Sequence, residues 1–182
     1  NRESLRKIVV FKKGKHSIKN NLKIDDRVVV FENGANICLE NLSTIHIKNS
    51  KVTFSKDLKD EVMISSCGDN ISGSLVIENS KVKINNLHVM NLSKPSMNFR
   101  SLDGGLNLIN SDVEILNFIS SNSQSEDAIN FINSKVKANR LEINNSLSDG
   151  VDSDFSVINI KNIYCDNIGN DCFDSSFTKG YL

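Results

Sequence analysis

The stretch SEDAINFINSKVKANRLEINNSL (125–147) decides the fold once it is laid over the two segments C-terminal to it. LSDGVDSDFSVINIKNIYCDNIG (147–169) and GNDCFDSSFTKG (169–180) fall beneath it in register. Asp127, Asp149 and Asp171 recur every 22 residues, as do Asn130, Asp152 and Asp174. Ile129, Val151 and Phe173 form an apolar column beside them. Leu141 lies over Ile163, and Ile143 over Cys165. One rung earlier, GGLNLINSDVEI (104–115) matches DAINFINSKVKA (127–138) at a spacing of 23. The phrase returns as IENSKVKI (77–84) and IKNSKVTF (47–54). Asn49, Asn79, Asn110 and Asn133 therefore follow one another at 30, 31 and 23 residues. The longer steps leave room for loops such as LSKPSMNFRS (92–101).

Inside each repeat the apolar period is two, as in Val82-Lys83-Ile84 and Leu141-Glu142-Ile143. No segment carries a helical stripe. Short strands, polar turns and a period of 22–23 residues predict an all-β chain, a single-stranded right-handed parallel β-helix. Roughly seven or eight coils at about 4.8 Å each give a rod of about 35 Å. Residues 1–7 read as a lead-in or short cap and 8–182 as the β-helix. The chain stops inside what should be a coil. A truncated β-helix is therefore expected, or end-to-end packing that covers the unpaired edge.

The composition agrees. The 182 residues include 26 Asn, 25 Ser and 20 Ile, with one Pro. Asn tolerates the left-handed backbone of tight turns, and stacked Asn side chains can form hydrogen-bonded ladders. Lys+Arg and Asp+Glu are 22 each. That balance argues against nucleic acid as a partner, which calls for a clustered basic surface. No window approaches a membrane span. The opening NRESLRK has no apolar stretch of the signal-peptide kind.

The run SEDAIN…SDGVDSDFS…GNDCFDSS resembles the right-handed β-helix repeat domains found beside CotH-type spore-coat kinase domains. The likeness covers nearly the whole chain, although no segment matches a kinase phosphate loop or catalytic loop. It implies a secreted or cell-surface accessory module. A shorter likeness joins Ser148-Asp149-Gly150-Val151-Asp152 and Gly169-Asn170-Asp171-Cys172 to the Asn-Thr-Asp and Gly-Asp-Asp-Cys motifs of polygalacturonases. Carried over, Asp149 and Asp171 match two catalytic carboxylates. Asn170 stands where the third acid belongs.

The column Asp127, Asp149 and Asp171 has three readings. Asp makes Asx-turns. Stacked carboxylates with carbonyls can hold Ca²⁺, with Asp152 and Asp174 deepening the negative patch. Two carboxylates flanking a sugar can act as general acid and base. His16, His46 and His88 are scattered over different coils, away from the acids. Arg140, Lys137 and Lys161 fall on another strand. Cys38, Cys67, Cys165 and Cys172 show no zinc spacing. Cys165 reads as a small apolar residue in the Ile143 column, and a bridge to Cys172 stays open. Two functions are carried forward. One is a non-catalytic extracellular or cell-surface module, a scaffold or glycan-binding surface whose partner is a polysaccharide. The other is a polysaccharide-acting enzyme, polygalacturonase-like hydrolase or lyase, centred on the Asp column.

Overall fold

In the computed structural model, residues 7–67, 73–95 and 102–182 are described. The expected lead-in falls mostly on 1–6, outside the described residues, as does much of the loop 92–101. The described residues contain strands and turns and no helix. They build three sheets of eight, seven and seven strands. Every third strand in sequence joins the same sheet, and every pairing is parallel. Each coil contributes one strand to the first sheet, one to the second and one to the third. The result is a β-solenoid of about seven turns, which bears out the fold class.

The register follows the sequence repeat. Ile129 pairs with Val151 and Val151 with Phe173. Leu141 pairs with Ile163, and Ile143 with Cys165. Alternation puts one set of side chains inside, because successive strand residues face opposite ways. The strand Lys135–Ala138 buries Val136 and Ala138 and exposes Lys135 and Lys137. Near the N-terminal end Phe11, Phe31 and Phe54 stack inside with centroids 4.5 Å apart at each step. The columns pack over one another because a parallel ladder brings like residues to the same height in every coil.

The turn from third to first sheet shows what the Asn-Ser phrase does. Asp26, Asn49, Asn79, Asn110 and Asn133 all have φ near +50° there. Asn133 Nδ2 donates to Asn110 Oδ1 at 2.6 Å, the expected amide ladder. The serine that follows makes a second ladder, inside the turn. The backbone N–H groups of Ser50, Ser80, Ser111 and Ser134 donate to the Oγ of Ser80, Ser111, Ser134 and Ser156 one coil on, at 3.0–3.1 Å. Each of these hydroxyls in turn donates to the carbonyl two residues back, as Ser111 does to Ile109 O at 2.8 Å. Buried turn amides thus find partners that the sheet ladder does not supply.

Both cysteine pairs are bridged, which closes the question the sequence left open. Cys38 and Cys67 join neighbouring coils of the second sheet, with Cα atoms 5.4 Å apart. Cys165 and Cys172 bridge at a Cα separation of 5.8 Å, so Cys165 is a disulfide partner as well as a member of the apolar column. Beside this bridge only Gly fits at 150. A Cβ there would meet Cys172 O at 2.7 Å, and that carbonyl also accepts the Val151 N–H.

Candidate functional site

The acids predicted from the repeat gather on the outer side of the third sheet, but they divide into two groups. The strand Asp127–Ile132 pairs with the strand Asp149–Asp154, which sets Asp127 beside Asp149 and Asn130 beside Asp152. Asp152 pairs onward with Asp174. Asp171 precedes the strand Phe173–Ser176 and lies in the approach to it.

Asp149 and Asp171 are occupied by the turn. Asp149 Oδ1 accepts the backbone N–H of Asp171 at 2.9 Å and Asn170 Nδ2 at 2.8 Å. The same Asn170 amide reaches Asp171 Oδ2 at 3.3 Å. Asn170 therefore stands between the two carboxylates as a shared donor. This is not the local Asx-turn but a bond between coils, in which the carboxylate of one turn satisfies the backbone N–H of the next. An inverting glycosidase holds a water between its two carboxyl groups. Here an amide sits between them.

Asp127 and Asp152 are placed differently. Asp127 is 4% exposed and accepts Asn130 Nδ2 at Oδ2, 2.9 Å away. Burial, then the charge of Asp152, pushes its carboxyl up to about 7. Burial, then Asp154, raises Asp152 to about 6. None of the ion pairs among the described residues involves Asp127, Asp149, Asp152, Asp154 or Asp174. Among the described residues no three or more His, Cys, Asp or Glu side chains converge in a ready metal geometry.

The remaining candidates lie elsewhere. His46 meets Glu78, and His88 meets Ser121 and Glu61. Arg140 pairs with Glu142 and lies 4.6 Å from the Tyr164 ring centroid. Lys137 faces out from the first sheet. That face is what sequence reasoning missed. Its exposed positions carry Lys51, Lys81, Lys83, Lys135, Lys137 and Lys179 against Asp112 and Glu114. An open groove of about 590 Å³ runs along it, lined by Lys135, Lys137 and Lys179 together with Asp112, Glu114 and Tyr181. The signal was present in the alternation of KVK and KVKA. It becomes a surface only when distant coils are stacked. A net charge of zero therefore hides a basic first sheet and an acidic stretch of the third.

Among the described residues no helix is long and apolar enough to cross a membrane. No protein-family model, no curated protein and no solved structure matches the chain.

Proposed function

We propose that the protein is a non-catalytic β-solenoid module that serves as a scaffold and binds an acidic glycan along the first sheet. The observation that carries this reading is the Asn170 amide shared by Asp149 and Asp171, which takes the place of the hydrolytic water. The groove supports the ligand class. It is open, and Lys135, Lys137 and Lys179 line it on alternate coils or beside Asp112, Glu114, Val157 and Asn159, with the exposed Tyr181 at one end. An extended chain bearing carboxylates or sulfates fits such a surface through charge and ring contacts. The resemblance to β-helix modules beside CotH-type kinases supports an accessory role at a cell surface. Two disulfides support an oxidising compartment.

The test uses polygalacturonate as probe. Retention of the protein on the immobilised polymer, lost in Lys135→Glu/Lys137→Glu with an unchanged circular dichroism spectrum, is the expected result. No retention at low salt overturns the glycan assignment. Reducing ends released by the wild type but not by Asp171→Asn overturn the non-catalytic reading and install the polysaccharide-acting enzyme.

A further inference from the structure

Asn130 is 5% exposed, and its Oδ1 is buried with no hydrogen-bond partner. A buried carbonyl oxygen without a donor costs about 1–3 kcal/mol, and native structures rarely leave one. Its position explains what is missing. The other arm of the same carboxamide, Nδ2, donates to Asp127, and the residue beside Asn130 on the next coil is Asp152. The carboxamide thus meets Asp127, and Asn130 stands in register with Asp152; neither acid takes part in an ion pair among the described residues. Acceptors outnumber donors here: Asp127 meets the amide itself, and at Asp152 the Ser153 N–H takes Oδ1 at 2.7 Å and leaves Oδ2. One unsatisfied acceptor with two uncompensated carboxylates is a set that lacks positive charge.

We infer that Asp127, Asn130 and Asp152 form a binding site for a hard divalent cation, Ca²⁺, on the outer side of the third sheet. Two carboxylates and an amide carbonyl are the oxygen donors that Ca²⁺ takes, and water completes its six to eight ligands. A mixed set of this kind is consistent with the absence of three converging acids among the described residues. The site excludes Asp149 and Asp171, whose contacts at Oδ1 and Oδ2 go to the turn. It is independent of the glycan reading, since it lies on a different sheet from the lysine groove. Its occupation ties two neighbouring coils together, so it acts on stability.

The test is titration of the whole chain with CaCl₂ at pH 7.5, by calorimetry and by thermal melting. Binding in the micromolar to millimolar range and a melting temperature that climbs with Ca²⁺ concentration are expected. Asp127→Asn and Asp152→Asn should each weaken binding at least tenfold, while Asp171→Asn leaves it within twofold. Circular dichroism of each variant checks that it folds. No heat and no melting shift at 10 mM Ca²⁺ would overturn the site. So would affinity unchanged in a folded Asp152→Asn, or a loss in Asp171→Asn equal to that in Asp127→Asn.

Discussion

The ring of Phe155 lies on the ring of Phe177, with centroids 5.1 Å apart and planes 6° from parallel. Both residues hold the left-handed backbone, at φ 52° and 53°, that Asn49, Asn79, Asn110 and Asn133 hold in the same turn of earlier coils. They are 60% and 82% exposed, so burial does not account for them.

This pair makes a quantitative prediction. An L-residue in the left-handed region costs roughly 1–2 kcal/mol, and Asn bears less of that than Phe. A stacked aromatic pair contributes about 0.5–1.5 kcal/mol. Phe155→Asn or Phe177→Asn alone removes one strain and also the shared stack, so each single variant should lie near the parent. The double variant removes two strains and the stack once, and it can extend the Asn ladder. It should be about 1 kcal/mol more stable than the parent in urea unfolding, the balance of those two magnitudes. A double variant less stable than the parent would show that the stack outweighs the strain relieved at both positions.

The serine ladder gives a second. Ser111→Ala leaves the Ser80 N–H without its acceptor and removes one of the two donors to the Ile109 carbonyl, which keeps the Asn79 N–H. The site is buried, so about 1–3 kcal/mol should be lost. Ser111→Thr keeps the hydroxyl, as Thr178 does where it accepts the Ser156 N–H, and should keep most of the stability. Equal losses in the two variants would mean that crowding, not hydrogen bonding, governs the turn.

The core gives a third. Val151 is fully buried between Ile129 and Phe173. Val151→Asp places an unpaired charge inside the rod at a cost of several kcal/mol. Cooperative melting should disappear. A melting temperature within a few degrees of the parent would sink the assignment of residue 151 to the interior.

The fourth is a pH dependence without added cation. Asp127 and Asp152 have raised values of about 7 and 6, so the folded state binds more protons than the unfolded chain above the ordinary carboxylate range. Their contribution is fully present below about pH 4 and declines as pH rises through 6 and 7. The groups facing Asp127 are Glu126 on its own segment and Asp149 and Asp152 on the next coil. Asp154 and Asp174 face Asp152, and all of these act in the same sense. Asp25, Asp57 and Glu142 are shifted down, so their contribution is lost only at lower pH. Stability should therefore peak near about pH 5 and fall toward about pH 8. Asp127→Asn should flatten the limb between those values. The idea fails if that limb is flat in the parent.

The sequence by itself determined the coil. The 22-residue step from Ile129 to Val151 to Phe173 and the period of two around them leave a parallel solenoid as the packing that buries every apolar column. The structure pairs those residues as the step requires. The left-handed Asn was legible for the same reason, since φ > 0 is a local preference of the residue. Tertiary structure alone decided which acids are alike. Asp127, Asp149 and Asp171 repeat at one interval, yet Asp127 is buried, Asp149 is half-buried and Asp171 is exposed. The difference comes from what lies around each carboxylate, and a one-dimensional repeat does not encode that. The bridge between Cys38 and Cys67, 29 residues apart, and the lysine-rich outer face of the first sheet arise in the same way. They are relations between coils, fixed by the rise of the solenoid and by loop lengths that shift the spacing in sequence while leaving the stacking in space unchanged.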